Sequence, residues 1–158
     1  MADKREQIFN RLEEIAKTVT GIVTVKRNVG IRADETRPAI IVLDGDEQFA
    51  DLTPTRGRSA RMSTTLMEAQ PEIYVLLKEL RPQNKTADAE PKNVGTLLNE
   101  YRKTLLAKIA DDEVLLGILG PNGKMDYRGC VTDLKSGNRL SGEMRIDINF
   151  VYPLDPRS

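Results

Sequence analysis

The chain contains no histidine, no tryptophan and a single cysteine, Cys130. Without a second cysteine no intramolecular disulfide can form. Zinc sites and most nucleophilic triads are built from cysteine and histidine, so those chemistries lose most of their residues. Cys130 falls in an expected strand with no histidine to act as its base, and reads as a small buried or half-buried side chain. An excess of charge is also missing, because Lys plus Arg and Asp plus Glu both number 24. No long-range field therefore steers the protein to a polyanion or a membrane surface. Aromatics are scarce, at four tyrosines and three phenylalanines, which removes the interleaved stacking platforms of single-strand nucleic-acid binders. No apolar run approaches the roughly 18 residues of a membrane span, and Met1 to Lys17 lacks a basic-then-apolar leader. The expectation is a soluble protein made in the cytosol.

What is there in quantity is aliphatic side chains, carboxylates, lysines and arginines. The 158 residues suit one domain, residues 1–158, burying roughly 70% of the surface that the unfolded chain exposes. The clearest pattern runs from Gly142 to Pro156, GEMRIDINFVYPLDP. Met144, Ile146, Ile148, Phe150 and Tyr152 occupy every second position, while Glu143, Arg145, Asp147 and Asn149 fill the gaps. That is the period of a strand with one face in the core and one in water. Pro153, which cannot donate to a ladder, is its expected end.

Upstream, Ile8, Phe9, Leu12, Ile15 and Ala16 share one face of a helix predicted over Asp3 to Thr18. Asp3 is its cap, Glu6 completes a capping box, and Gly21 stops the run. Ile22 to Val25 and Ala39 to Leu43 are predicted strands, the second apolar throughout and so covered on both faces. Asp44, Gly45 and Asp46 form a turn. Glu47 to Arg61 is polar and reads as a long loop or the tip of a long hairpin, a connection of functional length. Met62 to Leu77 resumes strand character, with a bulge or an edge position at Pro71. Arg81 to Lys92, with two prolines and no large apolar side chain, is a second exposed loop.

From Asn93 to Ala110, Val94, Leu97, Leu98, Tyr101, Leu105 and Ile109 make the apolar stripe of a helix lying across a sheet. A short apolar patch at Val114 to Leu119 precedes a turn at Pro121, Asn122 and Gly123. Lys124 to Leu134 alternates through Met125, Tyr127, Gly129 and Val131, and a turn at Ser136 to Asn138 makes it the antiparallel partner of the closing strand. Helices and strands do not alternate strictly. The predicted class is therefore α+β, a mostly antiparallel sheet with two helices packed on one face and long exposed loops.

Few residues offer chemistry. Asp44, Asp46 and Glu47 are the carboxylates that a Mg²⁺-dependent nuclease or phosphodiesterase would use, although a solvated acidic turn has the same composition. Arg56, Arg58 and Arg61 suit bidentate contacts to phosphate or carboxylate, and without a basic field an acidic protein surface is the favoured partner. Gly117, Gly120 and Gly123 match no phosphate-loop spacing. No catalytic residue, metal ligand or cofactor site emerges. A compact scaffold with two long charged loops is better suited to holding other proteins than to turning over a substrate.

The amino-terminal helix, AIIVLDGDE, PEIYVLLKELRP, VGTLLNEYRKTLL and above all MRIDINFVYPLDP together resemble the tail-terminator, or minor tail, proteins of long-tailed bacteriophages. The likeness spans nearly the whole chain as an order of elements. It implies a structural virion protein that forms a homohexameric ring on the head-proximal end of the tail tube. The ring would stop tube polymerisation and present the joining surface to the head-completion or neck protein. Its partners would be further copies of itself, the major tail tube protein and the neck protein. DNA would pass through without sequence-specific binding, and no membrane is involved. Assembly would take place in the host cytoplasm. A head-to-tail connector or tail-completion adaptor is the neighbouring alternative, and the metal-dependent nuclease is the alternative of another class. In the ring, Arg56, Arg58, Arg61, Arg81, Lys85 and Lys92 are candidate protein-contact positions. Glu143, Arg145, Asp147 and Asn149 are the candidate subunit-contact or lumen face.

Overall fold

A computed structural model describes residues 3–28, 37–50, 65–77, 94–135 and 141–154. Helix α1 (Lys4–Lys17) leads into strand β1 (Thr24–Arg27), followed by β2 (Ala39–Phe49) and β3 (Thr65–Leu76). Helices α2 (Val94–Ala110) and α3 (Glu113–Leu119) come next, and β4 (Lys124–Lys135) and β5 (Ser141–Leu154) close the chain. The five strands form one sheet in the order β1-β2-β3-β5-β4. β1 and β2 run parallel, and every other neighbouring pair is antiparallel. The α+β class with a mostly antiparallel sheet is thus what the chain adopts. Among the described residues no helix is long and apolar enough to cross a membrane.

β5 explains most of this arrangement. Its alternating row Met144, Ile146, Ile148, Phe150 and Tyr152 is at most 3% exposed, and lies under the apolar stripes of α1, α2 and α3 in one continuous core. The opposite face of the sheet has no helical layer among the described residues. It carries a small second cluster of Ala39, Ile41 and Leu76 with Leu43 and Tyr74 beside it. The helices therefore sit on one face, as expected. β2 is buried on both faces from Ala39 to Val42, in keeping with its unbroken apolar run.

Several local expectations are corrected. Asp3 caps α1 by accepting from the Arg5 amide at 2.9 Å, but Glu6 does not complete a capping box, because Arg27 holds its carboxylate at 2.7 and 2.9 Å. Thr18 ends the helix, its hydroxyl donating to the Ile15 carbonyl at 2.6 Å. Gly21 lies beyond at φ +91°, where a β-carbon would stand 2.7 Å from the Tyr101 hydroxyl. β1 starts two residues later than the β-branched run predicted. The apolar patch after α2 is a third helix. Asp112 caps it by accepting from the Leu115 amide at 2.8 Å, and Gly120 ends it at φ +75°.

The predicted turn at Asp44, Gly45 and Asp46 is a bulge within β2, which continues to Phe49. Gly45 supplies the positive φ, +63°, that lets the chain add a residue without leaving the sheet. The register slips between Leu43 and Asp46, opposite Gln70 to Glu72, and Pro71 has a paired partner in neither adjoining ladder. Pro71 therefore occupies a bulge in a central strand, since its missing N–H falls where no ladder bond is made. A second bulge interrupts β4 between Tyr127 and Gly129, where Gly129 has φ +123°. It reverses the expected alternation. Met125 and Tyr127 lie opposite Phe150 and Ile148, but past the bulge Cys130 faces Ile146 and Val131 faces Arg145. Val131 is consequently 53% exposed. β5 also runs one residue past Pro153, which pairs with Leu66 on β3 but lies beyond Val151, the last residue paired with β4.

The bulge yields a stability prediction. A β-carbon on Gly45 would stand 2.0 Å from the Gln70 carbonyl oxygen, whereas one on Gly117 in α3 would meet nothing within 4 Å. Gly45→Ala should therefore cost about 1–3 kcal/mol in urea unfolding, while Gly117→Ala should stabilise by about 0.5–1 kcal/mol. Equal effects of the two substitutions would contradict the bulge.

Candidate functional site

The uncovered face of the sheet gathers most of the polar side chains that β5 turns away from its core row. Glu143, Arg145, Asp147 and Asn149 all lie on it, half-buried among the outward residues of β3 and β4. Arg145 Nε is 3.2 Å from Asp147 Oδ1, and Arg37 approaches Glu143 at 3.5 Å. Asn149 Nδ2 donates to Glu68 Oε1 at 2.5 Å, and Gln70 Nε2 donates to the same oxygen at 3.1 Å. The Tyr74 hydroxyl donates to Glu72 Oε2 at 2.9 Å. Burial and that bond both push the Tyr74 hydroxyl pKa up. The four residues singled out by alternation thus form one row of a laterally bonded polar surface.

At the level of the bulges this surface dips into an open groove of about 320 Å³, whose lining includes Asp46, Gln70, Glu72, Arg128, Asp147 and Asn149. Three carboxylates face one guanidinium there. The groove exists because β2 and β4 each add a residue at this level while Pro71 interrupts β3 between them.

The three carboxylates considered for a magnesium site are not brought together. Both oxygens of Asp44 are held by Arg27, at 2.7 Å from Nε and 2.7 Å from Nη2. The Asp44 amide donates to Asn28 Oδ1 at 3.0 Å. Glu47 accepts from the buried Tyr152 hydroxyl and has Arg5 Nε at 3.5 Å. Asp46 instead lines the groove on the uncovered face. Among the described residues no cluster of three or more acidic, cysteine or histidine side chains is placed to hold a metal ion.

The centre of charge on the helical side is Arg27, which the sequence did not single out. Besides Asp44 it holds Glu6 of α1 in a second fork, and its guanidinium lies 5.1 Å from the centre of the Phe9 ring. Bonding to Arg27 lowers the pKa of both Asp44 and Glu6, and the two carboxylates hold Arg27 more firmly protonated. A similar fork joins Arg11 to Asp112 at 2.8 and 2.6 Å and ties α1 to the cap of α3. The Arg27 hub assembles from three elements and the Arg11 fork from two, so no local spacing announces either.

Cys130 sits half-buried at the margin of the core, with Arg102 Nη1 3.4 Å from its sulfur. Hydrogen bonding from Tyr127, and secondarily from Arg102, lowers the thiol pKa. Tyr127, 48% exposed, also lines a shallow groove of about 560 Å³ with Arg102, Lys103 and Leu106 of α2. Arg56, Arg58, Arg61, Arg81, Lys85 and Lys92 lie outside the described residues, as do most of the two long loops expected around them. No protein-family model matches the chain, and no curated protein matches it.

The Arg27 hub makes stability depend on pH in a definite direction. The pKa values of Asp44 and Glu6 are depressed in the folded state. Their contribution is therefore complete above the ordinary carboxylate range of about 4, and is lost as the pH falls through the lower folded values. Arg27→Met should cost about 1–3 kcal/mol at pH 7, mostly through Asp44, since the Glu6 arm is half-exposed and screened. Urea titrations should show the gap from wild type narrowing from pH 5 to about 3. A gap that stays constant over that range would rule the hub out as its source.

Proposed function

We propose that the chain is a structural virion protein, a tail terminator that forms a ring on the head-proximal end of a bacteriophage tail tube. The ring, taken as six-membered, stops polymerisation of the tube and offers the surface to which the head or neck is joined. The observation that supports this reading is the two-sidedness of the sheet. One face is sealed by three helices, while the other bears a row of charged side chains with no helical layer among the described residues. A subunit in a cyclic ring meets its neighbours through two different surfaces, head to tail. A helical side and a polar sheet side are two such surfaces. The resemblance of MRIDINFVYPLDP to tail-terminator proteins falls on the strand that supplies both the core row and the polar row.

In this reading the partners are further copies of the chain, the tail tube protein and the neck protein. Interfaces of this kind use charge to set register and exclude wrong partners more than to add affinity. The balanced composition also suits a ring through which DNA passes without being held.

Particles assembled without the protein are expected, by electron microscopy, to show overlong tails that have not joined heads. Tails of normal length would overturn the proposal. Added to purified tail tubes, the protein should cap one end and fix their length; a protein that bound only the portal side would be a connector instead.

A further inference from the structure

Fourteen residues, 51–64, join β2 to β3. The two strands are still paired at Phe49 and Met67, and the Ala50 amide donates to the Leu66 carbonyl at 3.0 Å. Here residues 51–64 intervene, carrying Arg56, Arg58 and Arg61 against one acid, Asp51.

The groove on the uncovered face has the opposite charge. Among the described residues, Asp46, Glu72 and Asp147 line it with only Arg128 in return. Tyr74 occupies one oxygen of Glu72, and Arg145 lies beside one oxygen of Asp147. A carboxylate accepts several bonds through its two oxygens, so both retain free acceptor capacity. Among the described residues no hydrogen bond or ion pair involves the Asp46 side chain. Asn149 and Gln70 add amide groups along the same wall. A guanidinium fits such a site better than an ammonium, because its planar fork can bond two carboxylate oxygens at once.

We infer that this groove receives the arginine-bearing segment 51–64 of a second copy of the chain. The inference rests on the ring reading, and specifies its contact: each subunit gives one basic segment to the neighbour on one side and takes one from the other. That is a heterologous contact, the kind that closes a ring. Charge complementarity selects the occupant, since a chain of zero net charge with an acidic groove and a basic segment neutralises both by pairing with itself. The contact sets the order of subunits around the ring and weakens as salt screens it.

A charge-swap experiment on the full chain tests this. Reversing the segment (R56E/R58E) or the groove (D46K/D147K, with D46K alone as the milder variant) puts like charges at both contacts. Sedimentation velocity should show each variant self-associating about tenfold or more weakly than wild type, with circular dichroism confirming that it is folded. An equimolar mixture of the two variants pairs opposite charges again at every contact, and should regain association. A misfolded variant could not be rescued in this way. Wild-type association with charge-reversed variants that behave like it would overturn the inference and leave the ring intact. A mixture of folded variants that stays dissociated would also overturn it, and is the result expected if the segment lay in the groove of its own chain. A wild-type protein that does not self-associate, alone or on tail tubes, would overturn both the ring reading and the inference.

Discussion

Everything in this molecule hangs on the one-faced burial of β5. Its apolar row must lie under the helices, and a slip of one residue would drive Glu143, Arg145, Asp147 and Asn149 into the core instead. Because β5 lies between β3 and β4, fixing its register fixes β3 on one side and β4 on the other. Tyr152 adds a polar demand to that row: a fully buried phenol needs a partner. It finds one two strands away, in Glu47 of β2. Ala69 of β3, paired with both Glu47 and Phe150, leaves the path between them open by being small. Burial, and then the bond to Glu47, push the Tyr152 hydroxyl pKa far above its ordinary value. The core row is thus keyed across three strands.

The same constraint explains why the irregularities coincide. β2 slips between Leu43 and Asp46, β3 carries Pro71, and β4 slips between Tyr127 and Gly129, all at one level of the sheet. An added residue shifts the alternation of its own strand by one, while each later residue still shares a face with its partner. In β4 the consequence is visible, since Cys130 and not Val131 points to the core side beyond the bulge. Across this level β5 stays in register with β3.

The sequence made the regular parts legible and left the irregular ones ambiguous. The alternation from Glu143 to Tyr152 in β5 and the stripes of α1 and α2 are long enough for period alone to identify. α3, at seven residues, is too short for its period to separate from a buried strand, although Asp112 and Gly120 punctuate it at both ends. Gly45 and Pro71 were visible as punctuation, yet taken singly each signals a turn or an edge. Only their closeness across β2 and β3, unpaired between Leu43–Glu72 and Asp46–Gln70, makes them parts of one bulge. The candidate site divides in the same way. Its β5 row follows from alternation, whereas the groove depends on Asp46, Glu72 and Arg128 arriving from three other strands. Arg27 was one charge in a charged segment until β1, β2 and α1 converged on it.

Balanced composition conceals a sorted distribution. On the helical side three arginines are consumed in pairs, Arg27 with Asp44 and Glu6, Arg11 with Asp112, and Arg5 beside Glu47. Those pairs hold α1 to the sheet and to α3, and have no charge left to offer a partner. The uncovered face keeps Asp46, Glu68, Glu72 and Asp147 against Arg128 and Arg145. The connection 51–64 keeps three arginines against one aspartate. A composition without net charge thus conceals an acidic excess on the described part of the uncovered face and a basic excess in the sequence of 51–64, the complementarity on which the proposed contact between copies rests.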